Sequence, residues 1–196
     1  PLDNKTLSEV IKQAKSKAGE KKFNQTIDLI LDIIEIDMKS PEGRIQEVVE
    51  LPHDTGKPNK ICVIESGEFA LKAKNANADY ALERADLESL NGKKKELRKI
   101  ANDYDIFISE APLMPLVGRI LGPVLGPRGK MPIPVPPNAD IVPLINKHRK
   151  TVVVRMRNQP IIQVPVGSQQ MTDEDIADNI MAVLRVLDGK LKRGLK

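Results

Sequence analysis

The chain of 196 residues carries 31 Lys+Arg against 27 Asp+Glu, and only 3% of it is aromatic, with no Trp. That length can bury a real core in one domain or two small ones; the net charge of +4 permits a nucleic-acid partner without demanding one, and the scarcity of rings argues against base-stacking platforms. No apolar run approaches the ~20 residues that span a bilayer and the N-terminus lacks a signal-peptide core, so a soluble, cytoplasmic protein with no membrane partner is expected.

In chain order, Leu7, Val10, Ile11, Ala14 and Ala18 recur at helical spacing behind Thr6-x-x-Glu9, which reads as a capping box. From Gln25 to Ile36 the period changes to two. Ile27, Leu29, Leu31 and Ile33 face one way and Thr26, Asp28 and Asp32 the other, with Ile30 and Ile34 apolar on both, which predicts a long half-buried strand. The turn signal Ser40-Pro41-Glu42-Gly43 leads to a second strand over Arg44–Leu51, and the segment from Pro52 to Asn59 then breaks all periodicity.

The middle of the chain alternates short apolar strands with helices, the pattern of a parallel sheet. Strands are expected at Lys60–Glu65, Asp79–Leu82 and Ile106–Ser109, and helices at Glu68–Asn75, Ala85–Asn91, Lys94–Ala101 and Ile141–His148. Cys62, alone in the run ICVI, has no cysteine to pair with and reads as a buried reduced thiol of an intracellular protein. Between Ala111 and Asp140 lie eight of the 15 prolines, mixed with glycines, so a shaped loop without helix or strand is expected there. Its only charges are Arg119, Arg128 and Lys130, and it emerges beyond a strand end, where α/β sheets bind ligands.

After Thr151 the alternation returns, with Val152, Val154 and Met156 inward and Val153, Arg155 and Arg157 outward. Asn158-Gln159-Pro160 then turns the chain into Ile161–Val166, which predicts a β-hairpin. Thr172, three residues before Asp175, caps a helix with Ile176, Ile180, Val183, Leu184, Leu187 and Leu191 on its apolar face and Lys190, Lys192, Arg193 and Lys196 in its last turns.

The order helix, strand, strand, insertion, strand, strand, helix predicts a split α+β sandwich from both chain ends, residues 1–55 and 150–196, with an inserted Rossmann-like three-layer α/β domain over residues 56–149. Lys+Arg stand against Asp+Glu as 8 to 11 in the first 55 residues, 15 to 11 in 56–149 and 8 to 5 in 150–196. The basic excess therefore sits in the middle and at the end.

Catalytic patterns are weak. Gly126-Pro-Arg-Gly129-Lys130 has Val124 and Met131 where a phosphate loop needs Gly and Ser or Thr, and Pro127 removes an amide from the cradle. His53, His148 and Cys62 have no metal-ligand spacing, so neither a metal nor a cofactor is expected. Lys93, Lys94 and Lys95, like Asp103 and Asp105, read as solvated helix ends. A nucleotide- or phosphosugar-binding α/β enzyme stays as the alternative to a non-enzymatic RNA binder.

LVGRILGPVLGPRGKMPIPVPPNAD, with KFNQT at residues 22–26, LPH at 51–53 and PVGS at 165–168, resembles the ribosomal protein L-one family of the large-subunit stalk. EAPLMPLVGR followed by KMPIPVPP is similar to its archaeal branch. The resemblance implies two hinged domains with the split one as the main RNA binder. It also implies a protein, monomeric when free, that binds large-subunit rRNA, assists deacylated tRNA leaving the exit site and in many prokaryotes represses its own mRNA.

Residue by residue, the resemblance implies rRNA contact by Lys22, Phe23, Thr26 and Asp28, with Gly167 and Ser168 brought to the same surface, and secondary contact by Arg119, Arg128 and Lys130. From the residues alone Phe23 reads as a core aromatic, while Gly167 and Ser168 read equally as a helix-entry turn. The family carries a further strand, with Val-Tyr-Val and Thr-Met-Gly, beyond the point matching Lys196. Without that strand, weaker rRNA binding and an exposed sheet edge are expected.

Overall fold

The computed structural model describes residues 2–67 and 76–191, so the expected helix over residues 68–75 lies outside the described residues. The fold mixes α and β structure, with parallel and antiparallel pairing. The chain divides into two compact units, Pro1–Pro58 with Lys150–Lys196, and Asn59–Arg149.

In the first unit helix α1 (Asn4–Ala18) starts at Asp3, whose Oδ1 accepts the Thr6 N–H at 2.8 Å. The expected cap at Thr6 is therefore corrected. Asp3 puts a full negative charge at the positive end of the helix, and Thr6 is the residue being capped. The hydrogen bonds from Thr6 hold the Asp3 carboxyl below its usual range. Leu7 and Ile11 are buried, whereas Val10, Ala14 and Ala18 remain exposed, so only one edge of the anticipated stripe is covered.

Strand β1 (Thr26–Asp32) is shorter than the expected 25–36, because the chain turns at Glu35, which has a φ of 57°. A 3-10 turn (Pro41–Arg44) precedes β2 (Gln46–Glu50). On the far side of the sequence come β7 (Thr151–Arg155) and β8 (Ile161–Ser168), and the predicted hairpin between them is not formed. Instead β2 pairs antiparallel with β7, and β1 with β8. Pro160 has no N–H to close a hairpin, and its carbonyl accepts from Ile33 at 2.7 Å, extending the β1–β8 ladder.

The final described helix, α7 (Asp173–Asp188), is capped by Thr172, whose Oγ1 accepts the Asp175 N–H. Its row Ile176, Ile180, Val183, Leu184 and Leu187 packs against Val152, Val154, Ile162, Val164 and Val166. Lys190 falls beyond the helix and pairs with Glu47 at 2.9 Å; Lys192, Arg193 and Lys196 lie outside the described residues. Lys15 of α1 reaches the start of α7, its Nζ donating to Met171 O and Asp173 Oδ1.

In the second unit a four-stranded parallel sheet has the order β4-β3-β5-β6, from β3 (Ile61–Glu65), β4 (Tyr80–Glu83), β5 (Ile106–Glu110) and β6 (Ile133–Val135). Every residue of β3 and β5 is buried. Alternate side chains serve separate cores: Cys62, Ile64 and Phe107 belong to one, Ile61, Val63, Ile106 and Ile108 to the other. Covered faces on both sides are what a continuous apolar run in a parallel sheet requires. Helices α2 (Arg84–Ser89), α3 (Lys94–Asp103) and α6 (Ile141–Arg149) supply part of that cover.

The stretch Ala111–Asp140 departs most from expectation. It forms a 3-10 turn (Ala111–Leu113), α4 (Met114–Ile120), α5 (Gly122–Leu125) and then β6. Pro112, Pro115 and Pro123 each occupy a first or second helical position, where the missing amide has no intrahelical acceptor and the fixed φ already suits a helix. Pro134 sits in β6, which among the described residues pairs on one side only. The prolines punctuate short helices here and do not prevent them.

Candidate nucleic-acid interface

The residues singled out at the start of β1 converge with those at the end of β8. Thr26 is the cross-strand partner of Ser168, Ile27 of Gly167 and Asp28 of Pro165, with a register shift between Ile27 and Asp28 that leaves Val166 as the extra residue of a bulge. The inner row of β8, Ile162, Val164 and Val166, is buried against α7. The outer row of β1, Thr26, Asp28, Ile30 and Asp32, is open to solvent.

Phe23 lies just before the strand with 69% of its surface exposed, which excludes the core reading of this ring. Lys21 and Lys22 beside it are exposed as well. Asp28 accepts from Gln163 Nε2 at 2.8 Å, so its carboxylate is held along the sheet surface. An exposed ring followed by a hydroxyl, a held carboxylate and an amide suits shape and 2′-OH recognition of RNA better than charge neutralisation alone.

Gly167 and Ser168 are buried beneath this edge. A Cβ on Gly167 would stand 2.7 Å from Ile176 Cγ1 and 3.2 Å from Met171 Sδ, so only glycine lets α7 approach the strand this closely. Three residues missed from sequence complete the place: Asn24, Gln163 and Gly56. Gly56 has a φ of 81°, and a Cβ there would lie 3.1 Å from Ser168 Oγ and 3.7 Å from Asn24 Nδ2. Asn24 Oδ1 is buried without a hydrogen-bond partner among the described residues. The turn composition of residues 52–59 marks a loop but carries no sign of which strand it lies against.

Residues 11–196 match the family described as the ribosomal protein L1p/L10e family. The chain belongs to that family. It is similar to the large ribosomal subunit protein uL1 of Methanothermobacter thermautotrophicus, 47% identical over 188 residues, 96% of this chain and 89% of that protein. Similarity to the large ribosomal subunit protein uL1 of Methanocaldococcus jannaschii is 46% over 194 residues, 99% of this chain and 88% of that one. For the protein of the same description in Pyrococcus abyssi it is 43% over 195 residues, 99% and 89%. Membership of the ribosomal protein L1p/L10e family agrees with the resemblance read from KFNQT, LPH and the Gly-Pro stretch.

The three cations expected as secondary contacts of this L1p/L10e family member sit in the other unit, and the structure separates their roles. Arg119, on α4, is exposed. Arg128 donates from Nε to Asn102 Oδ1 at 3.1 Å and from Nη1 to Val124 O at 2.8 Å. Lys130 Nζ donates to Ala101 O at 2.8 Å and Tyr104 O at 2.9 Å, closing the C-terminal end of α3. Burial, reinforced by Arg128 and opposed by Asp105, lowers the Lys130 pKa. Both side chains already hold their own unit together.

No group of three or more potential metal ligands occurs among the described residues, and no helix there is long and apolar enough to cross a membrane.

Proposed function

We propose that the chain is a non-enzymatic constituent of the large ribosomal subunit, binding large-subunit rRNA through the face formed by Lys22, Phe23, Thr26 and Asp28 over the buried floor of Gly167 and Ser168. The unit assembled from both chain ends is the primary binder in this reading, a split α+β RNA-binding domain, and the α/β unit is the inserted, movable one. Family membership supports the ribosomal setting, and the relatives are named as large-subunit proteins. The observation that carries the choice of face is Phe23, a ring left 69% exposed three residues before the exposed Thr26 that opens β1. A large apolar ring kept in water costs about 1.5–3 kcal/mol of forgone burial, which a shape-reading contact recovers.

Two further roles belong to the same proposal. The rRNA-bound protein assists release of deacylated tRNA from the exit site, and the free protein represses its own mRNA by placing the same face on a similar structure there. A nucleotide- or phosphosugar-binding enzyme has no observation in its favour, since Lys130 and Arg128 of the glycine-rich stretch are engaged with α3 and its neighbours.

The test is footprinting of the full chain on large-subunit rRNA, repeated with Phe23→Ala plus Thr26→Val. Protection of one discrete site that the double variant loses is the expected result. An unchanged footprint with the double variant sinks the assignment of the face.

A further inference from the structure

Asn179 is fully buried on α7, and its side chain makes three hydrogen bonds, all to backbone. Its Oδ1 accepts the His53 N–H at 3.0 Å, and its Nδ2 donates to His53 O at 3.0 Å and to Val166 O at 2.8 Å. Val166 is the extra residue of the β8 bulge, so its carbonyl lies outside the regular ladder and needs a donor from elsewhere. His53 belongs to the loop after β2 and gets a second tie from its ring, with Nε2 3.1 Å from Asp178 Oδ2 and 3.6 Å from Asp175 Oδ1. Asp178 is itself held by Asn4 Nδ2 at 2.6 Å.

One buried amide thus joins two segments that have no ladder between them: the bulge immediately before Gly167-Ser168, and the loop that carries Gly56. Three residues after His53, Gly56 packs close to Ser168 and Asn24, the floor of the RNA face. Its own amide donates to Asp54 Oδ1 at 2.9 Å, which shapes the intervening turn and transmits the position of His53.

We propose that Asn179 is a positioning residue of the RNA face, setting the loop 51–58 in register with Gly167-Ser168, and that this loop is a third element of that face. The inference rests on the RNA-binding reading above. A fully satisfied buried amide is rigid, because each of its bonds is made in place of water and displacing any one strands a polar group. Asn179 touches no RNA in this account. It acts through the placement of Gly56, Ser168 and Asn24.

The experiment measures affinity of the full chain for the rRNA fragment defined by footprinting, at a temperature where circular dichroism shows each variant folded. Asn179→Ala is expected to weaken binding about tenfold, equivalent to about 1.4 kcal/mol. Ser168→Ala is combined with it in a double-mutant cycle. A positioning role predicts coupling, the double variant losing clearly less than the product of the single losses, whereas a merely structural role leaves the effects multiplicative. Gly56→Ala, at an exposed turn with φ of 81°, displaces the loop without touching α7, and is expected to weaken binding similarly even where Asn179→Ala fails to fold. Binding unchanged in folded Asn179→Ala or in Gly56→Ala, or multiplicative losses in the cycle, overturns this inference alone. A wild-type chain that binds no rRNA overturns the functional reading and this one together.

Discussion

Thr26 and Ser168 face each other as the last pair of the β1–β8 ladder, one exposed and one buried, just past the slip in register at Val166. Two hydroxyl-bearing residues 142 positions apart in sequence are thereby brought to one edge, three residues on from the exposed Phe23.

Phe23→Ala with Thr26→Val should cut rRNA affinity at least about tenfold while leaving stability within about 0.5 kcal/mol, since both side chains are exposed. Filter binding and a thermal melt check the two halves. A large drop in stability would mean that the ring packs in solution.

Few cations border this face, Lys21 and Lys22 being the pair beside Phe23, while Asp28 and Asp32 follow on the strand. Affinity should therefore fall gently with salt. A plot of log affinity against log salt is expected to have a slope no steeper than about −2, the signature of two or three neutralised phosphates. A slope several times larger would transfer the binding to a lysine- and arginine-rich surface.

Gly167→Ala should destabilise the first unit by about 1–3 kcal/mol, because the new methyl meets Ile176 Cγ1 at 2.7 Å. Ile176→Ala, which removes the Cγ1 that valine would keep, is expected to cost less in the Gly167→Ala background than in the parent chain in a denaturant titration. An equal cost in both backgrounds would locate the strain elsewhere.

Burial pushes the Cys62 thiol up to about 12 from 9.0. The folded chain keeps its proton where the unfolded chain would lose it, so this group's stabilising contribution is complete below pH 9 and shrinks as pH rises towards 12. Alkylation at pH 8 should consequently be slow in the folded protein and fast in denaturant. Rapid labelling of the folded chain would contradict the packing of β3.

Lys130→Met should lower the stability of the second unit by about 1–2 kcal/mol through loss of two carbonyl contacts at the end of α3, with rRNA affinity unchanged. Denaturant titration and filter binding read the two effects.

Periodicity made much of this legible. Val152, Val154 and Met156 are inward as their alternation requires, and the Thr172 cap and the row of α7 from Ile176 to Leu187 stand where spacing predicts, while Leu191 falls past the helix end at Asp188 and still packs against that core. What spacing could not show was which strands would pair. β7 and β8 are adjacent in sequence, yet each takes a partner from the first 50 residues, because Pro160 cannot close the turn and Ile33 takes its carbonyl. The Pro/Gly stretch misled for a related reason: proline content is the same whether the ring blocks a helix or opens one, and only its position within the turn decides. KFNQT singled out Lys22, Phe23 and Thr26 for the proposed face, whereas the hydrogen bond of Asn179 to Val166 O depends on a bulge that leaves no mark in the alternation of β8.

The acidic half of the outer β1 row has a consequence for how a polyanion can lie. Asp28 and Asp32 flank Ile30 on the solvent side, with Asp28 held in place by Gln163. A phosphate chain that advanced along the strand past Thr26 would meet two like charges in succession. Under the proposed function the strand is a graded ramp, open to RNA at its lysine-bearing entrance and repelling the backbone before Asp32, so the length of nucleic acid accepted would be limited by repulsion as much as by contact.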